Sequence, residues 1–337
     1  MDGTASGKYY RKIMGTDSNA FKGYFEKHWL KYLDNFPIPH KNAAQLHIGN
    51  RLRPCLVCWG YALSTSCVEE LNFEEILDIA IGIELVHKGS IIIDDLIDHD
   101  SARRGQITFH KEYSSNEAIM FLLFLLGKAV DKLSTHVDVA RISNLICAMS
   151  EGALRELGLS HRDLFEISKI DEIVKGETIA LIKDSLMFGF EVNSSKISDM
   201  EEILIRAAKK CAYNFQLLND LEPFSAAEET LLHKHNQNFD IEKHRKNLVV
   251  AKLYERCKPA DKERIVNNLK SDQLFSLLLN MIKKYKLKEF IILEVEKSKA
   301  EIISDLSGLL PLAKNPSCLY DFLFFVEEMI NQCYLRI

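Results

Sequence analysis

ELVHKGSIIIDDLIDHDSARRGQITFH, residues 84–110, is the stretch that decides the fold of this chain. Up to Ile93 it is almost wholly apolar, without the alternation of a half-buried strand, and it predicts a buried helix. That helix runs into three carboxylates. On a helix Asp94 and Asp98 stand four residues apart, one above the other, while Asp95 lies about 100° round the axis. Stacked carboxylates share hard cations well, and Mg2+ prefers one or two protein carboxylates plus phosphate oxygens to a full protein cage. Arg103 and Arg104 follow about one to two turns on, where guanidinium forks take further phosphate oxygens in a bidentate way, and Gly105 is expected to close the helix. Carboxylates followed at once by arginines predict Mg2+ and a diphosphate.

Outward from this stretch, helices are predicted nearly everywhere. Phe21–Phe36 repeats aromatics at helical spacing and stops before Pro37 and Pro39. Apolar periodicity near 3.6 also marks Arg53–Ser64, Phe73–Asp98, Glu117–Leu133, Asp138–Leu157, Asp171–Phe190, Asp199–Phe224, Ile241–Cys257, Asp261–Lys284, Glu289–Leu310 and Cys318–Tyr334. No segment alternates convincingly as a strand. The expected fold is all-α, a bundle whose ligand sites are built by side chains of facing helices.

Composition agrees. The 337 residues, 47% hydrophobic and 27% charged, are enough for a large core, and no Pro- or Gly-rich linker divides them. A flexible N-terminus over residues 1–16 and a single domain over 17–337 are expected. The net charge of −5 gives no electrostatic case for nucleic acid. The longest apolar run, Ala118–Gly127, is about half a membrane span. The polar start MDGTASGKYYRK lacks a signal-peptide core, so a cytoplasmic protein is expected. Eight cysteines are scattered along the chain, and the lone pair Cys55 and Cys58 is read as structural thiols because nothing completes a zinc site.

The quoted stretch resembles the first aspartate-rich region of the trans-polyprenyl diphosphate synthases, whose pattern is ELxHxxSxxxDDxxDxxxxRRGxPTxH. Glu84, His87, Ser90, Asp94, Asp95, Asp98, Arg103, Arg104, Gly105, Thr108 and His110 match, and Ile107 replaces the proline. The resemblance implies a helical bundle of the isoprenoid-synthase type with a central apolar cavity. It also implies homodimerisation. IGNRLRP, residues 48–54, is similar to the family's GGKRxRP, with Asn50 in place of the lysine. In the family that lysine, with the residues matched by Arg53 and His87, holds the diphosphate of the homoallylic co-substrate.

The resemblance spans residues 45 to 250 and erodes beyond the first aspartate-rich region. NFQLLNDLEPF, residues 214–224, resembles the second metal region FQxxDDxxD and keeps Phe215, Gln216 and Asp220, with Asn219 and Pro223 in place of aspartates. Asn219 and Asp220 are the expected ligands there, held less tightly because Asn brings no charge, and Pro223 should kink or end the helix. GETIAL, residues 176–181, keeps Thr178 but puts Glu177 where a diphosphate-binding lysine stands. The family's Gly-Asp pair appears as Leu122 and Leu123, an apolar-packing change. DIEKHRKNLVV, residues 240–250, resembles DLxxRKxSLPVV; Lys234, Arg245 and Lys246 are within reach of a diphosphate, or form a solvated basic face.

The implied chemistry is Mg2+-assisted ionisation of an allylic prenyl diphosphate inside a dry cavity, expected between Ile83–Ile93 and Ile119–Leu126, followed by attack of isopentenyl diphosphate. In the family, bulk at the positions matched by Ser90 and Gly89 governs chain length; both are small here, so the resemblance implies an open floor and products of about C20 or longer, with Phe121 and Phe124 closing it lower down. Two other readings stay open. A class I terpene cyclase or atypical prenyltransferase would need no second diphosphate, although Pro223 and Ala227 break the cyclase metal motif. A low-activity regulatory subunit would pair with another synthase subunit.

Overall fold

The computed structural model describes residues 20–65, 71–103, 105–160, 162–193, 198–225, 245–269, 271, 273–314, 316–334 and 337. Among the described residues the α-helices of eight residues or more are α1 (Ala20–Asp34), α2 (Leu52–Ser64), α3 (Phe73–Ile97), α4 (Ser115–Leu133), α5 (Val139–Leu157), α6 (Ile167–Val174), α7 (Ala180–Glu191), α8 (Ser198–Leu221), α9 (Leu248–Arg256), α10 (Pro259–Asn267), α11 (Leu274–Lys284), α12 (Leu287–Ser307) and α13 (Pro316–Tyr334). Among the described residues the strands are two residues each, β1 (Ala102–Arg103) and β2 (Gln106–Ile107), so the all-α expectation holds. The chain divides into two compact units. The first contains the residues up to Ile146 with Leu181–Ile205 and Leu306–Phe325; the second contains Cys147–Ala180, Arg206–Asp305 and Val326–Ile337.

In the first unit α1 buries Phe21, Phe25, Trp29 and Leu33, one residue per turn along one stripe. Helix α3 is buried almost continuously from Ile79 to Val86, which is why its sequence lacks an amphipathic stripe. Its start is capped by Asn72, whose side chain accepts from Glu74 N at 3.1 Å. Helix α4 opens on a capping box: Ser114 Oγ accepts from Glu117 N at 3.2 Å and donates to the Glu117 carboxylate at 2.6 Å. Glycines permit the closest helix crossings. A Cβ on Gly60 of α2 would fall 1.9 Å from the Leu186 carbonyl oxygen, and one on Gly189 of α7 would fall 1.9 Å from that of Val57. Cys55 and Cys58 are both buried in α2.

Several expectations change. The 171–190 helix is interrupted by a π-helical turn, Lys175–Ile179. The 261–284 segment is two helices, α10 and α11. Helix α8 ends at Leu221 and Pro223 sits in a following 3-10 turn, Glu222–Phe224, as a proline without a donor requires. Of Ile241–Cys257, residues 241–244 lie outside the described residues, and α9 begins at Leu248. The floor expected to be open at Gly89 is covered: a Cβ there would meet Leu122 Cδ1 at 2.9 Å. Leu122 thus packs on α3, but Leu123 is 55% exposed and does not pack as expected. Phe121 and Phe124 join an aromatic cluster, Phe121 stacking on Phe109 at 4.8 Å and Phe124 meeting Phe36 edge-on at 5.1 Å.

Candidate active site

Helix α3 does not continue to Gly105. It stops at Ile97 because His99 adopts the left-handed conformation, φ 55°. His99 N then reaches Leu96 O at 3.2 Å and Asp100 N reaches Asp95 O at 3.0 Å, the paired bonds of a Schellman ending. Gly105 instead serves the hairpin turn, at φ 77°, between β1 and β2. The hairpin folds Arg103 back onto the end of α3. Its Nε donates to Asp95 Oδ1 at 2.6 Å and its Nη2 to Asp94 Oδ2 at 3.2 Å. Asp95 is fully buried and Asp94 half exposed. Burial pushes the Asp95 carboxyl up to about 6, against the opposing pull of Arg103 and with a further push from Asp94 and Asp100. Its second oxygen, Oδ2, has no hydrogen-bond partner among the described residues. Asp98, at the helix C-cap, lies one turn beyond Asp94, its N bonded to Asp94 O at 2.9 Å. Thr108 locks the hairpin base by donating to Asp100 O at 2.5 Å. Arg104 lies outside the described residues.

In the same unit Arg53 Nη1 lies 3.0 Å from His87 Nε2, so two residues expected to hold one diphosphate are brought together. Asn50, in the lysine's place, accepts from Leu52 N at 3.2 Å through its side chain in the turn just before α2. Sequence reasoning missed what holds this loop down. Arg51, buried and left-handed at φ 56°, donates to Glu84 at 2.7 Å, to Glu26 at 2.8 Å and to His47 O at 2.9 Å. Lys88, also buried, donates to the Ile48 carbonyl and lies 3.5 Å from Glu84. A lysine inside the apolar run of α3 was the available signal.

The second unit gathers the other expected residues. Thr178 Oγ1 donates to Gln216 Oε1, Gln216 Nε2 to Asp220 Oδ1, and Leu248 N to Asp220 Oδ2, each at 2.7 Å. Asp220, expected as a metal ligand, is here a buried acceptor tethering the start of α9, with both oxygens engaged. Burial pushes its carboxyl up to about 6, against the bonds from Leu248 N and Gln216 and the nearby Lys246. Asn219 is half-buried on the same turn. Arg245 Nη1 donates to Glu156 at 3.1 Å rather than standing on a solvated face. Glu156 carried no sequence signal. Lys234 lies outside the described residues.

Among the described residues no group of three His, Cys, Asp or Glu is assembled to hold a metal by itself. A magnesium diphosphate does not need one, since phosphate oxygens complete the shell. Asp94 and Asp98, hard donors one turn apart, fit that requirement; Asp95, the third carboxylate expected to hold metal, is fully buried and engaged with Arg103. In the second unit the engaged oxygens of Asp220 fit it less well.

The family model described as Polyprenyl synthetase matches residues 40–281. The chain belongs to this family. It is 30% identical over 232 residues to a prenyl transferase of Porphyra purpurea, covering 65% of this chain and 70% of that protein. It is 27% identical over 179 residues to a short chain isoprenyl diphosphate synthase of Methanocaldococcus jannaschii, covering 51% of this chain and 53% of that protein. The chain thus spans about half the length of that archaeal relative. In fold it is similar to a polyprenyl synthase of Caulobacter crescentus solved with calcium and isoprenyl diphosphate. The TM-score is 0.78 at 16% identity, covering 98% of this chain and 99% of that one. At that identity the likeness shows the polyprenyl synthetase fold alone. No helix among the described residues is long and apolar enough to cross a membrane.

Proposed function

We propose that this chain is a Mg2+-dependent prenyltransferase that ionises an allylic prenyl diphosphate and condenses it with isopentenyl diphosphate into a longer all-trans prenyl diphosphate. The observation that carries the reading is the return of Arg103, by its own hairpin, onto the carboxylates at the end of α3. Asp94 and Asp98 would hold the metal, which supplies neutralising charge to the departing diphosphate. Arg103 is poised beside them to donate to the oxygens that become negative as the C–O bond breaks and its electron pair leaves with the diphosphate. Asp95, buried beneath, fixes the guanidinium's position. Arg53 and His87 would hold the diphosphate of the acceptor, whose double bond attacks the allylic carbon before a proton is lost. The relatives named as isoprenyl diphosphate and geranylgeranyl diphosphate synthases support this reading. We further propose a homodimer acting in the cytoplasm, with no nucleic-acid partner.

The test is incubation of purified protein and Mg2+ with geranyl, farnesyl or geranylgeranyl diphosphate, with and without isopentenyl diphosphate. Longer diphosphates that form only when isopentenyl diphosphate is present are the expected result. A hydrocarbon or alcohol made from the allylic substrate alone would replace elongation by the cyclase reading. No product in any tube until a second subunit is added would leave the regulatory reading.

A further inference from the structure

Glu177 is presented by the π-helical turn, and two glycines allow that turn to sit directly on α5. A Cβ on Gly176 would fall 2.5 Å from the Ala148 carbonyl oxygen, and one on Gly152 would fall 2.9 Å from Glu177 Cγ. Glu156 stands one turn beyond Gly152 on the same face of α5, so the two carboxylates come together. The residues just before α9 close on them. Glu156, 4% exposed, accepts from Lys246 N at 2.8 Å, from Arg245 Nη1 at 3.1 Å and from Lys246 Nζ at 3.4 Å. Lys246 Nζ also pairs with Glu177. Two carboxylates thus meet two cations, all largely withdrawn from water. A diphosphate arriving at this turn would have to displace one carboxylate from Lys246 while being repelled by both.

We propose that Glu177 determines how this enzyme binds diphosphates: with Glu156 it saturates Arg245 and Lys246, so this basic turn holds no diphosphate, and substrate diphosphates are gripped through the Asp94, Asp98, Arg103 and Arg53–His87 groups instead. The inference rests on the prenyltransferase reading for its substrates. Glu177 is a specificity-determining residue that touches no substrate.

The experiment is calorimetric titration of the full chain with inorganic pyrophosphate in Mg2+. Glu177→Gln removes one of the two carboxylates on the Lys246 ammonium, leaving Glu156 at 3.4 Å, and is expected to tighten pyrophosphate by about tenfold or more, the scale of one charge-assisted contact. Adding Lys246→Met to Glu177→Gln removes that gain, whereas Lys246→Met alone leaves the wild-type affinity unchanged. No tightening in a Glu177→Gln protein that still melts cooperatively would overturn the proposal. So would weaker binding in Lys246→Met alone, a comparison that decides the matter even if Glu177→Gln does not fold. Asp94→Asn with Asp98→Asn separates the two proposals. Its loss of wild-type pyrophosphate binding supports the prenyltransferase reading, and retained binding counts against that reading while the Glu177 comparison still stands.

Discussion

Arg103 Nε lies 2.6 Å from Asp95 Oδ1 while its Nη2 lies 3.2 Å from Asp94 Oδ2, so one guanidinium bridges a buried and a half-exposed carboxylate. A lysine has no planar fork and cannot bridge them in this way. Arg103→Lys is expected to lower kcat at least tenfold and to destabilise the fold by about 1–3 kcal/mol, because the buried Asp95 loses its paired donor. Urea unfolding and steady-state kinetics check both. Unchanged kcat would remove Arg103 from the leaving-group site.

Asp94 is half exposed, so Asp94→Asn should leave the melting temperature nearly unchanged while reducing turnover by about a thousandfold or more, the scale on which lost transition-state stabilisation is read. EDTA should abolish wild-type turnover and added Mg2+ restore it. Metal-independent turnover would refute the metal assignment.

Leu122, lying over Gly89, supplies the bulk that residue 89 lacks. Leu122→Ala is expected to shift products towards longer chains, read by mass spectrometry of the dephosphorylated alcohols. An unchanged product would show that the chain grows elsewhere.

Burial alone would raise the Glu156 carboxyl, but Lys246 and Arg245 outweigh it and hold the group below its ordinary 4.5. The folded state therefore binds this proton less readily than the unfolded state. The resulting stability is present above pH 4.5 and is lost as pH falls through the folded value. Glu156→Gln should cost about 3 kcal/mol at pH 7, as for a buried pair deprived of one partner, and the gap to wild type should narrow in acid. Denaturation at pH 7 and below pH 4.5 measures it, and a gap that widens in acid would contradict the sign.

Gly60→Ala places a methyl 1.9 Å from a backbone oxygen, an overlap no rotamer relieves. Destabilisation of about 3 kcal/mol or more is expected. Gly127→Ala, with nothing within 4 Å in mid-helix, should instead stabilise by about 1 kcal/mol. Thermal melts of the two variants compare them directly.

How much was legible varied along the chain. The run of α3 from Phe73 was legible, because a long apolar stretch is a local signal, but its end was not: Gly105, expected to close the helix, lies in the hairpin, and α3 stops at Ile97. The π turn was invisible, since Lys175–Ile179 has ordinary helical composition and is shaped by the Gly152–Gly176 approach between distant parts of the chain. Glu156 looked like any charge on a helix until Arg245 and Lys246 were folded against it.

The sequence alone determined the helical class, the family, and the presence of Asp94, Asp98 and Arg103 at a helix end, because helical periodicity and motif spacing are properties of neighbours in the chain. Only the tertiary structure decided that Arg103 arrives by a hairpin rather than by a longer helix. It alone decided that Leu122 covers Gly89 and that Glu156 and Glu177 neutralise the basic turn before α9. Each of these depends on side chains meeting across long stretches of chain, where packing and charge pairing, not local propensity, select the partner.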